Sequence, residues 1–179
     1  MTIIVGFTKN NKVYIGGDKL ASDSYFKEEI KSSKVFKNKH LLIGFTTSFR
    51  FGDILEYSFE PPSDRKSYMS DKHYIVDSLI PAIRKTLEHN KYCDSDSTSE
   101  SGTALIGYNG NLYKLQDDWS IIQNSTNIMA IGSGAEYALG ALEVLHKTEK
   151  SPKKILSKVI KITSKYSPSV SKANTVLSL

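Results

Sequence analysis

The chain has 179 residues, 24 Lys and Arg against 19 Asp and Glu for a formal charge of +5, and 39% hydrophobic residues. That apolar share builds a core and is too high for a disordered chain, so residues 1–179 are expected to form a single domain. No apolar run approaches the ~18 residues that cross a bilayer, the lone Cys93 allows no internal disulfide, and four histidines beside it offer no zinc-ligand spacing.

The opening Met-Thr-Ile-Ile-Val-Gly lacks a basic leader and reads as a strand rather than a signal peptide. With no disulfide, a reducing cytoplasm is the expected location. Thr2–Thr8 and Lys12–Gly17 form a hairpin through Asn10-Asn11, residues that tolerate positive φ. Gly16-Gly17-Asp18 ends the second strand, and a short strand follows near Tyr25–Ile30. Lys34–Lys37 and Leu41–Thr46 pair through Asn38-Lys39-His40. Helical periodicity runs from Phe49 to about Tyr57 and is broken by Pro61-Pro62-Ser63-Asp64.

The longest helical stretch is His73–His89, with Ile75, Leu79, Ile83 and Leu87 as its buried stripe and Pro81 as a kink or restart. Asn90–Ser101 is a polar loop in which Cys93 is a bystander among Asp94, Asp96 and Glu100. Strands are expected at Thr103–Tyr108, Leu112–Leu115, Trp119–Gln123 and Ile128–Ile131, with Asn109-Gly110-Asn111 as a hairpin turn. Ser133 with Glu136 three residues on is a capping-box pattern opening a helix to about Lys147, with Ala138, Leu139, Leu142 and Leu145 inward. Ser151-Pro152 opens a last helix to about Lys165, and Asn174–Leu177 suits a final strand. After Glu149 there is no acid, and Lys150, Lys153, Lys154, Lys158, Lys161 and Lys165 read as a solvated face at mixed helical phases. Helices grouped in pairs between hairpin-rich sheets point to an α+β fold rather than to βαβ units.

The chemistry starts at Thr2. A hydroxyl is a weak nucleophile and needs a base within hydrogen-bond reach. A threonine freed of Met1 carries its own, because an α-amine titrates near about 7.7–8.0. Such a site also wants a cation, a carboxylate to hold it, an oxyanion donor and a second hydroxyl. Lys34, Asp18, Gly44 and Ser133 are the candidates, although each has an ordinary reading by itself. Those readings are an exposed strand lysine, a turn aspartate, a strand glycine at a bulge or close approach, and a helix N-cap.

Together the residues run Thr-x-x-Val-Gly, Gly-Gly-Asp, Lys-Val, Ile-Gly-Phe and Ile-Gly-Ser-Gly-Ala-x-Tyr-Ala, over nearly the whole chain. In that order they resemble the proteolytic subunits of the proteasome superfamily, and most of all the bacterial HslV-type peptidases. The resemblance implies a four-layer αββα sandwich of two antiparallel sheets between helix layers. It implies Thr2 as nucleophile, Lys34 as cation, Asp18 orienting Lys34, the Gly44 N–H as oxyanion donor, Ser133 supporting the amine, and substrate lying beside Ser22 and Thr46. It further implies stacked hexameric or heptameric rings fed with unfolded polypeptide by an AAA+ unfoldase, with no cofactor for hydrolysis, no nucleic acid and no membrane.

The chain departs from that pattern in places. Ile3 replaces a second threonine, and Phe49 and Arg50 stand where small residues are usual, narrowing the groove. Ser167, Ser169 and Ser171 stand where a supporting acid is expected. A cation held by backbone carbonyls in that stretch is a family option that Pro168 makes uncertain. A non-catalytic ring protein and an N-terminal-nucleophile amidase of small molecules remain as alternatives.

Overall fold

The computed structural model describes residues 2–22, 25–63, 65–94 and 102–179. Met1, Asp64, Asp96, Glu100 and the rest of 95–101 lie outside the described residues, so the expected loop is described only as far as Asp94.

Three tight turns register the sheets. Strands β1 (Ile4–Lys9) and β2 (Lys12–Asp18) pair from Ile4 opposite Gly17 to Lys9 opposite Lys12. Asn10 and Asn11 both hold positive φ, the geometry that matches strand twist in a two-residue hairpin. Asn109 and Gly110 do the same between β7 (Ala104–Tyr108) and β8 (Asn111–Leu115). Lys39, at φ 52, turns β5 (Val35–Asn38) into β6 (Leu41–Phe45).

Two antiparallel sheets result. One has the order β10-β1-β2-β11, with β10 at Ile128–Ile131 and β11 at Asn174–Ser178; the other has the order β5-β6-β7-β8-β9, with β9 at Ile121–Ile122. A small hairpin joins β3 (Leu20–Ser22), which the sequence did not announce, to β4 (Lys27–Glu29). Trp119 takes φ 68 in a turn closed by its N–H to the Gln116 carbonyl, which shortens the expected Trp119–Gln123 strand to β9.

The period of two assigns side chains to layers. Ile3, Val5 and Phe7 pack on α4 (Ala135–Thr148) and α5 (Pro152–Tyr166), while Ile4, Val13 and Ile15 meet Val35, Leu42, Leu105 and Leu112 between the sheets. On the far side Phe36, Ile43, Ile106 and Tyr113 lie under the other helices. These are α1 (Phe49–Asp53), continued by a π turn at Ile54–Ser58, then α2 (Asp71–Tyr74), a π turn at Ile75–Leu79, and α3 (Ile80–His89). The architecture is the expected helix–sheet–sheet–helix sandwich.

Ile75, Leu79, Ile83 and Leu87 are all fully buried, each stabilising the layer by about 1.5–3 kcal/mol. Pro81 sits in the first turn of α3, and the π turn before it makes room where proline lacks an N–H and crowds the carbonyl four residues back. Cys93 is no loop bystander: it is buried in the core cluster that also holds Phe51 and Leu87.

Candidate active site

One end of the sandwich gathers the residues singled out in the sequence. Thr2 precedes β1, and the pairing of β1 with β2 brings Asp18 beside it, with the Asp18 N–H donating to the Ile3 carbonyl at 3.2 Å. Lys34 precedes β5 and is tied to the end of β6 through the Phe45 N–H. Asp18, Lys34 and Thr2 are 0%, 3% and 5% exposed, so neither the turn aspartate nor the exposed strand lysine of the ordinary readings is found.

The charges are fully hydrogen-bonded, as burial requires. The Thr2 hydroxyl donates to Asp18 Oδ1 and accepts from Lys34 Nζ. Lys34 Nζ also donates to Asp18 Oδ1 at 3.0 Å and to the Leu20 carbonyl at 2.6 Å, which uses all three ammonium protons. Asp18 accepts from the N–H of Ile3 at 3.1 Å and, on Oδ2, from Leu20 and Ser171 at 3.2 Å each. Burial pushes the Lys34 ammonium below the usual lysine range, and the Asp18 carboxylate opposes that shift.

Ser133 does not cap α4. The helix starts at Ala135 after Gly134 with no side-chain cap, so the expected box with Glu136 is absent. The Ser133 hydroxyl instead donates to the Thr2 carbonyl at 3.3 Å and bonds Ser169 Oγ at 2.7 Å, which bonds Ser167 Oγ at 3.0 Å. A chain of three hydroxyls thus stands where an acid was expected. Gly132, at φ 96, permits this approach, because a Cβ there would lie 2.3 Å from the Thr2 carbonyl oxygen. The carbonyls of Ser167 and Ala173 accept from Val170 N–H and Ser171 Oγ. Among the described residues no cluster of three or more His, Cys, Asp or Glu suits a metal ion.

A cavity of about 180 Å³ opens over Thr2, lined by Thr2, Ser22, Lys34 and the run Phe45 to Phe49. Gly44 is not part of it. Its neighbours alternate in the ladder, Phe45 N–H going to Lys34 just before β5 and Thr46 N–H to Thr103 just before β7, so the Gly44 N–H faces Leu105 on β7. The glycine serves the sheet contact: a Cβ there would stand 2.6 Å from Ile4 Cγ2 and 2.8 Å from Ile15 Cγ2. The expected oxyanion donor is therefore spent on structure.

The residue the sequence reading passed over is Thr47. It holds φ 81, and its N–H has no protein acceptor among the described residues, while its hydroxyl accepts from Thr103 N–H at 3.2 Å. The signal for that bend was Ser48, an N-cap that accepts from Phe51 N–H at 3.1 Å. Thr46 is tied to the Thr103 carbonyl through its N–H at 2.9 Å and its hydroxyl at 3.3 Å, and Ser22 Oγ is buried with no hydrogen-bond partner among the described residues. Phe45 and Phe49 meet edge to face at 6.4 Å, and Lys34 Nζ lies 6.0 Å from the Phe49 ring centre.

No protein-family model matches the chain. Its sequence is 25% identical over 165 residues to the ATP-dependent protease subunit HslV of Caldicellulosiruptor saccharolyticus, covering 90% of this chain and 88% of that one. Its structure is similar to that of BPH from Thiobacillus denitrificans in complex with epoxomicin, with a TM-score of 0.81 at 16% identity over 99% and 98% of the two chains. Eukaryotic HslV from Trypanosoma brucei superposes with a TM-score of 0.71 at 17% identity over 99% of each chain. The chain thus shares the proteasome-like αββα fold of these structures, and its sequence is similar to that of an HslV subunit.

Proposed function

We propose that the chain is a threonine-type endopeptidase subunit whose nucleophile is Thr2, freed by removal of Met1. The observation that carries this reading is the buried Thr2–Lys34–Asp18 cluster opening on the cavity. While Met1 is attached, the Thr2 nitrogen is an amide and accepts no proton. Its removal leaves an amine of pKa about 7.7–8.0 on the same residue as the hydroxyl, a base in place.

Thr2 Oγ then attacks the peptide carbonyl carbon, and its proton passes to the amine and on to the leaving nitrogen. Lys34, held by Asp18 and the Leu20 carbonyl, stabilises the developing alkoxide. The carbonyl oxygen turns toward the Thr47 N–H, which takes the role expected of Gly44. Water then hydrolyses the ester between Thr2 and the acyl half, with the Ser133 hydroxyl steadying the Thr2 backbone. An extended substrate runs beside Ser22 and Thr46, and the Ser22 hydroxyl, without a partner among the described residues, supports that path.

The name of the HslV relative supports a place beside an ATP-dependent partner, an AAA+ ring unfoldase delivering unfolded polypeptide to stacked rings of this chain in the cytoplasm. No helix among the described residues is long and apolar enough to cross a membrane.

Intact-mass measurement before and after incubation with a peptide epoxyketone, which needs both hydroxyl and free amine, tests the mechanism. The expected result is loss of Met1 and one adduct per chain, with Thr2→Ala taking no adduct and losing at least about 10⁴-fold in turnover. A chain without Met1 that forms no adduct would overturn the reading in favour of a non-catalytic protein.

A further inference from the structure

The rim of the cavity is clasped by a single residue. The Thr103 carbonyl accepts from the Thr46 N–H at 2.9 Å and from the Thr46 hydroxyl at 3.3 Å, while the Thr103 N–H donates to the Thr47 hydroxyl at 3.2 Å. One residue further on, Ser48 Oγ accepts from the Phe51 N–H at 3.1 Å and lies 3.2 Å from the Tyr92 hydroxyl. Between these anchors Thr47 stands at φ 81. That left-handed region suits glycine, and a β-branched residue held there is strained.

The bend by itself does not select threonine. Glycine makes the same bend without strain, so what threonine adds is its side chain. Thr47 is exposed, and that side chain fills no core. Its hydroxyl instead ties the segment to the backbone just ahead of β7. With the Thr46 N–H and the Thr47 hydroxyl fastened to the same residue, the peptide unit joining 46 to 47 is clamped on both sides. The Thr47 N–H, which has no acceptor among the described residues, is thereby held in one direction over the cavity.

We propose that Thr47 is a positioning residue, whose hydroxyl aims its own N–H at the place where the oxyanion forms. The inference rests on the function proposed above and deepens it. A donor stabilises a developing charge best when it is aimed beforehand and need not reorient during the reaction. Glycine at this position would leave the N–H free to swing. The carbonyl oxygen gains its charge in the transition state, so the aim acts on kcat and leaves substrate binding alone.

The test compares peptide-amide hydrolysis and urea unfolding in the wild type, Thr47→Gly, Thr47→Val and Thr47→Ser. Thr47→Gly is expected to lower kcat about tenfold with KM changed less than about twofold. Its urea midpoint is expected to be no lower than that of the wild type, because relief of strain offsets the lost hydrogen bond and the looser unfolded chain. Thr47→Val keeps the branched shape without the hydroxyl and is expected to slow kcat as much. Thr47→Ser restores the hydroxyl and is expected to keep at least about half of wild-type kcat. A kcat unchanged in Thr47→Gly overturns the proposal, as does a Thr47→Ser as slow as Thr47→Gly. Epoxyketone labelling of the wild type judges the Thr2 mechanism separately. A labelled wild type matched in kcat by Thr47→Gly overturns the role of Thr47 alone, whereas an unlabelled wild type overturns both.

Discussion

The charged cluster and the cavity rim lie side by side and are built on opposite rules. At Asp18 and Lys34 every ammonium proton and both carboxylate oxygens have partners, fixed by strand register and backbone N–H groups. Along the rim, the Thr47 N–H and the Ser22 hydroxyl have none among the described residues. Buried polar groups are normally satisfied within the protein, so the buried Ser22 hydroxyl marks where another molecule can supply a partner, while the exposed Thr47 N–H beside it is open to one. On the proposed function, the completed half is the catalytic machinery and the incomplete half is the place of the substrate.

The hardest break in this comparison is Lys34→Met. It strands the Asp18 carboxylate without a cation, so turnover is expected to vanish and stability to fall by about 3–5 kcal/mol in urea unfolding. The same variant tests a pH effect. With the native Lys34 pKa lowered beneath the ordinary 10.5, the unfolded chain binds the extra proton between the two values. Wild-type stability therefore rises with pH across that window and falls as pH drops through the native pKa, whereas Lys34→Met loses this dependence. A wild-type urea midpoint that is flat there would contradict the burial of a charged amine.

The hydroxyl chain gives a graded effect. Ser133→Ala removes the contact to Thr2 itself and is expected to lower turnover about tenfold or more, while Ser167→Ala at the far end costs about 1 kcal/mol or less, roughly fivefold. Equal losses would show the three serines acting as one unit. At the rim, Phe49→Ala should leave epoxyketone labelling intact and raise kcat/KM several-fold for peptides with a bulky side chain before the cleaved bond, with small side chains little changed. An unchanged preference would remove Phe49 from the substrate wall.

Much of this was readable in advance where physics is local. Asn10-Asn11 and Asn109-Gly110 specify two-residue turns, the Ile75–Leu87 stripe has one period, and the alternation of Ile3, Ile4 and Val5 assigns their layers. Thr2, Asp18, Lys34 and Ser133 were named from order along the chain and meet at one end of the sandwich. What escaped depends on contacts distant in sequence. Gly44 reads as a possible oxyanion donor until the second sheet arrives with Ile4 and Ile15, and Ser133 reads as a cap until Thr2 and Ser169 come within reach. Thr47 gave little sign because a positive φ at threonine is imposed by its surroundings, here the Thr103 link and the Ser48 cap.

The Ser171 N–H on the Asp18 carboxylate, with Lys19 bonded to Ala173 and β11 zipped along β2, concerns timing. Ribosomes release the amino end first, so Thr2, Asp18 and Lys34 emerge long before residues 171–178 can reach them. Until those residues arrive, Asp18 lacks one of its donors and β2 has an open edge. A half-made chain thus carries Thr2 without its finished setting, so on the proposed function cutting would wait until synthesis is nearly over.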